Sequence, residues 1–180
     1  MGALQTVAMG LVLVFLDVSP SGWDWIPDPL GWVLVLLGLN PLKELLPNHT
    51  GTTVTAWLCL VVDVVIWPPG SVAKVDDSIG WLFSVPTIAF CFLVCDALTD
   101  RTEGTQQAVF RWLRNGYVVV AVVPLLVYWV GWERLTTPAA VVAVVANVVL
   151  VVALWSAGEE EDDEEEDPLT RIRRRTADDR

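Results

Sequence analysis

The chain has 180 residues, 54% of them hydrophobic, with a mean hydropathy of +0.53 and a formal net charge of −11. Half of the acids crowd into residues 159–180, and elsewhere runs of about 15–20 residues hold at most one charge, a length suited to crossing a bilayer rather than to an ordinary core. This distribution leaves no room for a separate soluble domain, and no basic surface outside the tail for nucleic acid.

The fold class expected is all-α, an integral membrane helical bundle of about six transmembrane helices within residues 1–157. The first span is placed at 2–18 and ends at Ser19-Pro20-Ser21-Gly22. With no basic residue ahead of it and no small-residue cleavage site, it reads as a retained span rather than a signal peptide. The second is placed at 29–46, with Asp28 as N-cap and Pro29 at the first helical position, where its missing N–H costs nothing. The third is placed at 52–67 and stops at Pro68-Pro69-Gly70; the fourth at 80–98; the fifth at 114–132; the sixth, rich in Val and Ala, at 138–157. Continuous apolar runs, rather than alternating ones, argue against a β-barrel, and in lipid a lone strand cannot pair its own backbone. The stretch from Asp17 to Leu46 also admits one span plus a re-entrant piece, which would make five spans and put the N-terminus outside.

With six spans, Lys43, Arg101, Arg111, Arg114 and the five tail arginines fall on one side, and only Lys74 and Arg134 on the other. The side rich in Lys and Arg faces the cytoplasm. The expected location is therefore the cell membrane, multi-pass, with both termini cytoplasmic. Trp23, Trp25, Trp32, Trp67, Trp81, Trp129 and Trp132 read as anchors at the outer interface, and Trp112 and Trp155 at the inner one.

From Glu159 to Asp167 nine acids follow one another, and Arg171, Arg173, Arg174 and Arg175 come after them. Charge repulsion and the lack of apolar residues predict a disordered acidic and basic cytoplasmic tail over 158–180. Nine arginines against two lysines fit a GC-rich genome, and the excess of acid fits a high-salt host.

Few residues offer chemistry. Asp63 stands alone in the third span, in Cys59-Leu60-Val61-Val62-Asp63-Val64-Val65, and an ionisable residue inside a span is expensive and by default a functional candidate. Pro86 and Pro124 are expected to free the carbonyls of Leu82 and Val120 at a similar depth, with Ser84 nearby. Together with Asp17, Asp24 and Asp28 between the first two spans, Asp63 and Ser84 make up a candidate outer site for a proton or small cation. The competing reading is structural: Asp28 caps a helix, and Asp63 hydrogen-bonds a neighbouring one. Asp96 reads as an inner interface residue, and Asn147 as the source of an interhelical hydrogen bond. Cys59, Cys91 and Cys95, an odd number in apolar runs, read as packing residues. With a single histidine, His49, in an inner loop, and no nucleophile or phosphate-loop motif, neither a catalytic residue nor a metal or cofactor is expected.

The stretch Trp25-Ile26-Pro27-Asp28-Pro29-Leu30-Gly31-Trp32, leading into an apolar run that ends at Gly38-Leu39, resembles an element of small uncharacterised prokaryotic multi-pass membrane proteins. These have Pro-Asp-x-x-Gly-Trp/Tyr between their first two hydrophobic segments. The resemblance covers roughly 30 residues, implies two separate N-terminal segments, and carries no activity over. Two function classes follow. The favoured one is a structural or interaction subunit without catalysis, partnered by the lipid bilayer and by a second copy or another membrane protein. The alternative is a component of a small cation- or proton-coupled transporter or channel using Asp63.

Overall fold

The computed structural model describes residues 2–16, 28–44, 46–67, 81–130, 134 and 136–165, and all of its regular structure there is helical. Helix α1 covers Ala3–Phe15 and α2 covers Asp28–Leu39; a 3-10 turn over Pro41–Glu44 leads to α3, His49–Ile66. A second 3-10 turn, Trp81–Ser84, opens α4, Val85–Thr99. Helix α5 is Gly104–Val130, and α6 is Thr136–Glu165. Three stretches, His49–Ile66, Trp81–Thr99 and Thr136–Glu159, are long and apolar enough to cross a membrane.

Several boundaries differ from expectation, each for a local reason. Helix α1 has 13 residues and α2 has 12, about 18–20 Å each at 1.5 Å per residue, short of a hydrocarbon core of about 30 Å. Helix α2 gives way at Asn40 because Pro41 lacks an N–H and disfavours helical geometry in the residue before it. Helix α3 begins earlier than Thr52 because Asn48 caps it: its side-chain oxygen accepts the Gly51 N–H at 3.3 Å. Pro86 is the second residue of α4, not an interior one, so it breaks no α-helical bond and frees no carbonyl at Leu82. Pro124 does lie inside α5.

Helix α5 starts at Gly104, ten residues ahead of Arg114, because this segment is amphipathic. Phe110 and Leu113 turn inward while Arg111 and Trp112 face out. Helix α6 runs past Ala157 to Glu165, so the acidic segment expected to be disordered begins as helix. Glutamate is a good helix former, and the Trp155 indole donates to Glu159 Oε1 at 3.1 Å, one turn on.

Successive helices pack against each other, and α1 packs against α6, so the six close into a ring. Neighbours run in opposite directions. Gly10 meets Gly31 while Val7 meets Gly38; Trp32 meets Asp63 while Leu39 meets His49; Asp96 meets Arg114 while Thr99 meets Gln107. Trp32, Phe90 and Phe110 are the largest side chains fully enclosed by the ring. The α1–α2 seam is the tightest. A Cβ on Gly10 would lie 2.6 Å from the Gly31 carbonyl oxygen, and one on Gly31 would lie 2.6 Å from that of Gly10. Only glycine permits this approach, the usual device for close helix contact where apolar burial gives no discrimination. Helices α1 and α6 meet at Gly158, where a Cβ would lie 2.9 Å from the Gln5 side chain.

The outward faces are apolar. On α3 they present Val54, Trp57, Leu58, Val61 and Val65, and on α6 Val141, Val144, Val148 and Val152. A soluble monomer rarely shows apolar surface on this scale.

Candidate functional site

Asp63 sits one turn beyond Cys59 on α3, and both turn toward the neighbouring helices. Trp32, in the second turn of α2, donates its indole N–H to Asp63 Oδ2. The Trp32 ring is 0% exposed and meets Phe90 of α4 edge-on, with centroids 5.1 Å apart at 90°. Deeper in the bundle, Thr87 Oγ1 donates to Cys59 Sγ at 3.9 Å. One turn further along α4, the buried Cys91 faces the Tyr117 hydroxyl of α5. That hydroxyl donates to Asn147 Oδ1 of α6 at 2.9 Å, the interhelical bond expected for Asn147. At the opposite end from Asp63, Arg114 Nη1 lies 2.9 Å from Asp96 Oδ1, with both side chains partly exposed. Polar side chains thus meet at the α2–α3, α3–α4, α4–α5 and α5–α6 seams.

Of the remaining residues of the expected outer site, Ser84 and Asp28 are described. The Ser84 hydroxyl is exposed and donates to the Trp81 carbonyl at 2.6 Å, closing its own turn. Asp28 is the first residue of α2, half-buried at the positive end of the helix dipole. Asp17 and Asp24 lie outside the described residues. Val120, whose carbonyl Pro124 was expected to free, lines a small groove with Ala139, Ala140 and Ala143 of α6, away from the α2–α3 seam. No group of three His, Cys, Asp or Glu among the described residues is placed to hold a metal ion.

Two partners escaped the sequence reading. Trp32 was expected to anchor at the interface but is enclosed; what marks it is its N–H, a donor able to satisfy a carboxylate at membrane depth. Arg114 was placed near the inner end, as was Asp96, without the pairing. Trp112, by contrast, is 82% exposed, as an anchor would be. A groove of about 490 Å³ between α5 and α6, lined by Val109, Trp112, Leu113, Gly116, Val145 and Val149 among others, is almost wholly apolar.

No family model matches the chain, and neither a curated protein nor a solved structure does.

The Tyr117–Asn147 bond has a measurable weight. Tyr117→Phe leaves the Asn147 oxygen without its donor and is expected to cost about 1–2 kcal/mol. Tyr117→Phe with Asn147→Leu is expected to cost less than the two changes summed, as read by thermal midpoints in detergent in a double-mutant cycle.

Proposed function

We propose that this chain is a multi-pass protein of the cell membrane, crossing the bilayer six times with both termini cytoplasmic, and that it serves as a structural or interaction subunit without catalysis. The observation that carries this reading is the mutual pairing of the interior polar groups. Asp63 accepts a hydrogen bond from the Trp32 N–H, the Tyr117 hydroxyl donates one to Asn147, and the Thr87 hydroxyl donates one to Cys59. Each of these bonds joins two different helices, so the polar atoms fix which helices are neighbours. Apolar residues discriminate poorly between partners in lipid, and polar pairs then act as address labels.

The alternating helix directions support an even number of crossings, and the apolar outward faces of α3 and α6 support contact with lipid. The apolar groove between α5 and α6 suits lipid tails or another helix better than a polar solute. The six-span reading counts α1 and α2 as two of the crossings, in line with the two-segment N-terminus that the Pro-Asp-x-x-Gly-Trp resemblance implies.

One observation favours a second reading, a cation- or proton-coupled transporter component. The partner of Asp63 is a neutral indole, and the one ion pair among the described residues is elsewhere, at Asp96–Arg114. Two experiments decide. Cysteines introduced at Lys74 and at Thr102 should label from opposite sides of sealed cells, Lys74→Cys from outside. Labelling of both from one side would overturn the topology. Reconstituted liposomes should hold proton, Na⁺ and K⁺ gradients as well as empty ones do. A leak abolished by Asp63→Asn would replace the subunit reading with the transporter reading.

A further inference from the structure

We propose that Asp63 and Trp32 form a proton-sensitive tie that sets how firmly the α1–α2 hairpin seats on the rest of the bundle. The proposal rests on the membrane reading above, but not on the choice between subunit and transporter.

The geometry isolates the tie. Asp63 lies three residues before the end of α3, about 4.5 Å along the axis, so protons from the outer solution have only a short way to travel. Its side chain is half-buried, not sealed. An indole N–H can only donate. It therefore bonds the carboxylate strongly and the carboxylic acid weakly, since a hydrogen bond to an ionised acceptor is roughly twice as strong as a neutral one. Protonating Asp63 loosens α2 from α3 without removing any contact.

The surroundings define what else can titrate. On α3 the nearest such group is Cys59, one turn away. From α2 come the neutral Trp32 and, at the same end of the helix, Asp28. From α4 Thr87 and Cys91 face Cys59. No described Lys or Arg pairs with Asp63. A second side-chain tie between α2 and α3 stands at the far end, where His49 Nε2 lies 3.0 Å from the Leu39 carbonyl oxygen. Helix α2 cannot loosen alone, because its backbone is locked to α1 through Gly10 and Gly31. The hairpin therefore responds as one body, held at the His49 end and released at the Trp32 end. Trp32 reports on this directly, because its ring is enclosed against Phe90.

The test uses the full chain in lipid nanodiscs, with tryptophan emission and amide hydrogen exchange followed as pH falls from about 8 to about 4, through the carboxylate range. The expected result is a reversible emission change and a roughly fivefold faster exchange in the outer half of α2, the scale of one weakened charge-assisted bond. Both should vanish in Asp63→Asn, whose side chain is neutral at every pH. The emission change should also vanish in Trp32→Phe, and both should persist in His49→Gln. A response that survives Asp63→Asn, or one abolished by His49→Gln, would overturn the proposal. So would an unchanging wild type. If Asp63→Asn does not fold, Trp32→Phe decides by exchange: an α2 still sensitive to pH without the indole sinks the idea.

Discussion

Replacing Gly31 with leucine is expected to prevent the bundle from assembling. The added Cβ would stand 2.6 Å from the Gly10 carbonyl oxygen and 3.0 Å from the Val14 backbone nitrogen. Backbone atoms cannot rotate away as a side chain can, so α1 and α2 must separate along their whole length. Overpacked cores usually lose 1–3 kcal/mol, and a clash with backbone on both sides should exceed about 3 kcal/mol. Gly10→Leu meets the Gly31 oxygen and the Val35 nitrogen and should fail in the same way. The measurement is the fraction recovered as a monodisperse peak after detergent extraction, with thermal midpoints for whatever survives. Gly116→Ala is the matched control. Nothing lies within 4 Å of where its Cβ would stand, and alanine is the better helix former, so this variant should be unchanged or slightly more stable.

Trp32→Ala is expected to be the most damaging single truncation. Removing a fully buried tryptophan costs about 3–5 kcal/mol through lost burial and the cavity left behind. Here it also strips the half-buried Asp63 of its donor, adding about 1 kcal/mol, less than a fully buried acceptor would lose. Trp32→Phe separates the two parts, keeping most of the apolar volume and losing the N–H. Adding Asp63→Leu to Trp32→Phe should recover stability, because removing both partners is cheaper than orphaning one. Thermal midpoints of the three variants measure this; a further loss in the double variant would show that Asp63 has a role beyond its bond to Trp32.

Asp63 and Asn147 could be picked out from sequence because polar residues interrupt runs that are otherwise apolar, and the pairing of Asn147 across helices followed from that alone. Their partners could not be picked out. A tryptophan near the end of an apolar run looks the same whether its ring meets headgroups or the bundle interior, which is why Trp32 read as an anchor. The tight α1–α2 seam was hidden for a related reason. In a soluble helix the inward face is apolar and the outward face polar, so periodicity reveals orientation. Here lipid-facing and protein-facing positions are both apolar, and Gly10 in Met9-Gly10-Leu11 gives no sign of facing Gly31.

Helix lengths went astray where apolarity and helicity part company. The 104–113 segment of α5 is helical but mixed in polarity, and the first residues after Gly158 are helical but acidic, so apolar runs stop short of both. Pro86 misled in the opposite sense: it lies within an apolar run but at the start of its α-helix, where proline is harmless. The outer acidic cluster is a grouping by closeness in sequence. Among its described members, Ser84 is engaged with its own turn, and Asp28 stands at the start of α2, one turn ahead of Trp32.

The contact between α1 and α6 has a consequence for assembly order. These helices belong to opposite ends of the described chain, and the Gln5 face of α1 is met by Gly158 of α6. In the six-span reading proposed above, α1 therefore waits during synthesis, inserted but incomplete, while the intervening helices emerge. The backbone-to-backbone lock with α2 gives it a finished partner in the meantime, and the Gln5 side chain already accepts the Gly2 N–H at 3.1 Å without help from α6. A nascent chain halted before α6 would thus hold a sound hairpin beside an open flank, the kind of surface that membrane quality control recognises.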